Sequence, residues 1–189
     1  MLGSAAAAAP GDLAVQSRYA ATLLRAGETG RAEDVLTKAL QRDPGSIPAI
    51  EGLGRLRLRA GAAEEALALF DQVLSREPDS AAALSGRGVA LDLMGRHAEA
   101  LVSHRAAFSR APGNIPIANN LAISLMLGGQ LAEAEAVLAP LSRRPGAPSR
   151  VTLNLAVVRL ARGDRTGAES LVDRPLLSDA LLPLAEALR

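Results

Sequence analysis

A fixed interval of 34 residues runs through this chain, and a period of that length restricts the folds open to it. Gly27, Gly61, Gly95, Gly129 and Gly163 keep the interval. Ala32, Ala66, Ala100, Ala134 and Ala168 repeat it five residues later. A third column, Ala20, Gly54, Gly88, Ala122 and Ala156, is always small. Pro10, Pro44, Pro78 and Pro112 form a fourth, each followed two residues later by a capping type: Asp12, Ser46, Ser80 and Asn114. Between the columns, apolar residues recur at helical spacing. In residues 115–138, Leu121, Ala122, Leu125 and Met126 precede Gly128-Gly129, and Ala134, Val137 and Leu138 follow. The repeating unit is therefore two amphipathic helices joined by a glycine turn. One such hairpin cannot bury both apolar faces, so it must stack on copies of itself.

This pattern resembles the tetratricopeptide repeat over residues 13–175. The residues that carry the resemblance are the small residue on the first helix, the turn glycine, the alanine on the second helix and the closing proline. The resemblance implies an all-α, right-handed superhelix (an α-α solenoid) of five 34-residue helix-turn-helix repeats with a C-terminal capping helix. The small columns have a physical reason: they let two helices approach backbone to backbone, and a Leu there costs ~1–3 kcal/mol through overpacking. The chain departs from the family in having only Tyr19, Phe70 and Phe108 as aromatics, and in placing His104 where the second helix usually carries a large apolar residue. Both departures predict looser packing.

The chain order follows. Residues 1–11, small and punctuated by Gly and Pro, are expected to be disordered. Residues 12–189 then form one solenoid domain, with repeats at 13–46, 47–80, 81–114, 115–148 and 149–175 and a capping helix at 178–189. Pro48 falls in a first helical turn and is harmless there. Pro140 lies late in a second helix and is expected to kink or end it. With Pro145, Gly146 and Pro148 it marks the place where the array should bend. Pro175 is expected to cut repeat five short.

Composition excludes more than it assigns. A formal net charge of +1 provides no field for nucleic acid or an acidic substrate. The absence of Cys removes disulfides, thiolate metal sites and a Cys nucleophile. His97 and His104 lack companions for a metal set; His97 reads as solvated and His104 as packed. No glycine run has a phosphate-cradle spacing, and no Ser has a base beside it. Arg55, Arg57 and Arg59 alternate on one helix and so point apart, unlike a nucleic-acid stripe. No stretch reaches the ~20 apolar residues of a membrane span. The reading is a non-enzymatic chain with no cofactor, no metal and no nucleic acid, whose partner is a protein.

In the family's geometry the first helices line a concave groove. The resemblance places Arg18, Ala21, Gly52, Arg55, Gly86 and Val89 there, followed by Asn120, Ile123, Asn154 and Val157. The groove is basic at its N-terminal end, and apolar with two Asn further on. Members that clamp a terminal carboxylate do so at positions matching Ser17, Ala21, Gly52, Ala82 and Gly86, so that clamp is absent. The expected peptide site is Arg55, Val89, Asn120, Ile123, Asn154 and Val157. Helix layers ~10 Å apart match about three residues of an extended peptide at ~3.3 Å each. Asn120 and Asn154 would then grip main-chain groups three residues apart.

A second resemblance covers residues 115–180. Asn119-Asn120-Leu121-Ala122-Ile123-Ser124-Leu125, Gly129, Ala132-Glu133-Ala134 and Leu141 are similar to the TadD family of tight-adherence (Flp) pilus assembly proteins. So are Pro145 to Val151, Asn154-Leu155-Ala156 and Asp173-Arg174-Pro175-Leu176. The resemblance implies a periplasmic, outer-membrane-associated lipoprotein that acts as pilotin for the pilus secretin. The lipid-bearing Cys is missing, so membrane association requires one ahead of residue 1. The alternative is a cytoplasmic scaffold or regulator with an unrelated protein client.

Overall fold

The computed structural model describes residues 11–173, 176 and 180–188. Residues 1–10 of the segment expected to be disordered, Pro175, and Ser178, Asp179 and Arg189 of the expected capping helix lie outside these. All regular structure among the described residues is helical. The helices are α1 (Leu13–Arg25), α2 (Thr29–Arg42), α3 (Ile47–Arg59), α4 (Ala63–Leu74), α5 (Ala81–Leu93), α6 (His97–Arg110), α7 (Ile115–Leu127), α8 (Leu131–Ser142), α9 (Ser149–Ala161), α10 (Arg165–Glu169) and α11 (Leu182–Glu186).

The repeating columns each do what their residue type allows. Gly27, Gly61, Gly95, Gly129 and Gly163 have φ between 70° and 86°, where a side chain would be strained. Each closes its first helix in the same way. At Gly129 the next N–H, that of Gln130, returns to the Leu125 carbonyl at 2.8 Å. The second-helix alanines, Ala32, Ala66, Ala100, Ala134 and Ala168, are completely buried. Asp12, Ser80 and Asn114 cap their helices by accepting from Val15, Ala83 and Ile117 N–H. Ser46 occupies a cap position without capping. The Ala49 N–H that would reach its hydroxyl bonds the Ser46 carbonyl at 3.1 Å instead.

The chain divides into two compact units, Met1–Arg96 and His97–Arg189. In the first, α1 packs on α2 and α3, and α3 on α4 and α5. The Phe70 ring is completely buried and lies against Gly54 and Gly86. A Cβ on Gly54 would stand 2.8 Å from the ring, and one on Gly86 closer still. Packing here is tight, contrary to the looseness expected from few aromatics. Leu36 stands against Gly52 in the same way one repeat earlier.

In the second unit α7 packs on α6, α8 and α9, and α9 packs on α8, α10 and α11. His104 is fully buried and His97 exposed. Two residues beyond Pro140, at Ser142, α8 ends with 12 residues, the length of the proline-free α4 and two fewer than α2 and α6. The link after α8 lies inside the second unit, so the division between units falls at Arg96/His97 and not at that link. The second helix of repeat five, α10, is only five residues long and stops at Glu169, ahead of Pro175. Gly167 sits within it, and the Ser170 hydroxyl bonds the Gly167 carbonyl at 2.6 Å, a local alternative to continued helix.

Candidate peptide-binding faces

On each first helix of the first unit, four residues at spacing four, three, four form one stripe. They are Ala14, Arg18, Ala21 and Arg25 on α1; Pro48, Gly52, Arg55 and Arg59 on α3; and Ala82, Gly86, Val89 and Leu93 on α5. The α1 and α3 stripes carry short residues, Ala14, Ala21 and Pro48, and these leave a cavity of about 250 Å³. Its polar lining is Ser17, Arg18, Glu51 and Arg55. Arg55, expected at the site, is therefore on it, 3.4 Å from Glu51. The other Glu51 oxygen accepts from the Ser80 hydroxyl at 3.0 Å. Arg18 is exposed, and its guanidinium makes no ion pair among the described residues.

Arg57 diverges from Arg55, as alternation predicts, whereas Arg59, four residues on, shares the Arg55 stripe, contrary to the expectation that all three point apart. Arg57 bonds Glu33 at 2.9 Å and Glu65 at 2.8 Å. The hydrogen bond to Glu33 is the chief cause of its pKa being raised, against the opposing effect of burial. Arg59 donates to the Leu24 carbonyl. Val89 is half-buried on α5, and Leu93, one turn on, is 57% exposed.

In the second unit the equivalent stripe on α7 is Pro116, Asn120, Ile123 and Leu127. Ile123 is 39% and Leu127 50% exposed, and Asn120 is half-buried. Two expectations need correction. Asn154 does not stand as a free partner to Asn120, because its amide nitrogen donates to the Asn119 carbonyl oxygen at 2.9 Å. Asn119, not Asn120, is thus the residue beside it. Asn119 is 5% exposed, and Asn154 is the half-buried member of that pair. Val157 is 5% exposed and is not a groove residue. It belongs to the core cluster that includes Leu181 and Ala185, because α11 packs on α9.

The expected groove residues do not include Asn119, Glu51, Leu93 and Leu127, and Ser17 appears only as a position of the absent clamp. Leu93 and Leu127 were available from the period, each four residues beyond an expected site residue. Asn119 was not, since its bond to Asn154 spans 35 residues and falls out of register. Among the described residues no group of three His, Cys, Asp or Glu is arranged to hold a metal, and no helix is long and apolar enough to cross a membrane.

No curated protein sequence matches significantly. The fold is similar to that of PilW, a widely conserved type IV pilus biogenesis factor, with TM-score 0.76 and 20% identity over 98% of this chain and 87% of that one. It is also similar to Pseudomonas aeruginosa PilF, with TM-score 0.72 and 20% identity over 92% and 76%. A third is YrrB, a TPR protein with an unusual peptide-binding site, with TM-score 0.62 and 20% identity over 98% and 97%. The model of the tetratricopeptide repeat matches residues 23–89 and 93–149, well over half of the sequence. With its helix pairs, glycine turns and buried alanine columns in register, the chain belongs to the tetratricopeptide repeat family.

Proposed function

We propose that this chain is a non-enzymatic adaptor that holds an extended peptide of a partner protein on the α7 face of its second unit. The observation that carries this reading is the α7 stripe. It exposes Ile123 and Leu127 next to the half-buried Asn120 and Asn154, apolar side chains beside amides of the kind that pair with a peptide main chain. Ile123 and Leu127 are already about half-buried, so covering what remains supplies ~1 kcal/mol each, roughly half of a full burial. Each asparagine bond adds ~0.5–1.5 kcal/mol net. The apolar pair and the asparagines therefore contribute alike to affinity, and the asparagines also set register.

The client belongs to pilus assembly in this proposal, with the chain as secretin pilotin on the periplasmic side of the outer membrane. Support comes from the TadD-like residues in 115–180. The experiment is deletion in the source cell, followed by complementation. The proposal expects loss of secretin multimers and surface pili, restored by the parent chain and not by an Ile123→Ser/Leu127→Ser variant present at the same level. Normal multimers and pili in the deletion strain contradict the pilus assignment. Full restoration by the variant contradicts the α7 face.

A further inference from the structure

On its α1 side the cavity between α1 and α3 has a serine, Ser17, where the next repeat has a carboxylate. One repeat on, the cap residue Ser80 donates its hydroxyl to Glu51 of α3 at 3.0 Å. The residues 34 positions earlier are Ser46 and Ser17. Ser17 therefore stands where a carboxylate stands in the following repeat, and the hydroxyls of Ser17 and Ser46 are both buried without a hydrogen-bond partner. Such groups cost ~1–3 kcal/mol each and call for an explanation. Ser17 is 7% exposed and lines the cavity of about 250 Å³. Over the same cavity stand the unpaired Arg18 and Arg55, whose contact with Glu51 is longer than the 2.7–2.9 Å typical of a charge-assisted bond. The cavity is below the ~300–1,000 Å³ of small-molecule sites, which suits a single inserted side chain.

We infer that this cavity of the first unit is a subsite for an acidic side chain, a Glu or Asp in an extended segment of the partner protein. The inserted carboxylate stands beside Ser17, the position where the next repeat has Glu51. The Ser17 hydroxyl turns from its buried position to donate to it, and Arg18 and Arg55 neutralise it. Charge complementarity selects the occupant, because the adjoining stripes also carry Arg25 and Arg59, and Glu51 is the only carboxylate in the lining. The inference rests on the reading of the chain as a peptide-binding adaptor, but it uses different residues in a different unit.

The test uses the full chain, labelled with nitrogen-15, and a ten-residue alternating Glu-Ala peptide that is acetylated and amidated so that only side chains are acidic. The expected result is binding that weakens with added salt, with amide shifts centred on Ser17, Arg18, Ala21 and Arg55. Arg18→Gln and Arg55→Gln should each weaken it about tenfold, equivalent to ~1.4 kcal/mol. Ser17→Glu should abolish binding and raise the melting temperature, because it places the missing carboxylate within the chain itself. Equal binding of the Gln-Ala analogue, no detectable binding, unchanged affinity in both arginine variants, or a need for a free C-terminal carboxylate would each overturn the inference. Ile123→Ser/Leu127→Ser should leave this binding intact. Loss of client binding in that variant with retention here, or the reverse, separates failure of the α7 face from failure of the cavity.

Discussion

Two single residues show how narrow the tolerances are. Phe70 reaches between α3 and α5 only because positions 54 and 86 have no Cβ. Gly86→Ala should destabilise the chain by ~1–3 kcal/mol through overpacking, despite the better helix propensity of alanine. Phe70→Leu in the same background should recover part of the loss, which a double-mutant cycle of melting measurements would read as coupling. Gly86→Ala with unchanged stability would contradict the packing described. Asn154 behaves differently from a groove residue that touches only ligand. Asn154→Ala removes the donor that serves the 5% exposed Asn119, and should cost ~1–3 kcal/mol in denaturant titration. Asn120 stands outside that pair and is the milder probe of the face.

At the scale of the element, the sequence was most legible where a requirement is local and repeated. The turn glycines answer a backbone conformation that only glycine adopts without strain, so their spacing located every hairpin from Gly27 to Gly163. The alanine column was legible for a similar reason, helix contact at a fixed offset. Legibility failed where a neighbour decides. Ile123 and Val157 occupy the same column with the same chemistry, but α9 bears α11 and so Val157 is buried. Ser46 and Ser80 share the same setting, but only Ser80 meets a carboxylate, because position 51 is Glu and position 17 is Ser. Pro140 was expected to kink its helix or end it early; it lies on an exposed position near the C-terminus of α8, where two further residues remain helical. Its missing N–H still costs the helix a bond. Pro140→Ala should therefore raise stability by ~1–3 kcal/mol, seen as a higher denaturation midpoint with an unchanged slope. A lower midpoint would mean that the proline positions the following link.

For the whole molecule, the division at Arg96/His97 sorts the candidate chemistry into two kinds. The first unit presents arginines around a cavity, and the second presents apolar side chains beside an amide pair. The central claim is that the α7 face of the second unit, and not the outer surface of the second helices, receives the client. Leu127, 50% exposed on α7, and Val102, 68% exposed on α6, form a matched pair of exposed apolar residues for testing it. The direct measurement is photo-crosslinking in the source cell with benzoylphenylalanine placed at Leu127 or, separately, at Val102. The account predicts one discrete crosslinked partner from position 127, reduced by adding Asn120→Ala, and none from position 102. A partner captured from 102 and not from 127 would contradict it and move the binding surface to the second helices.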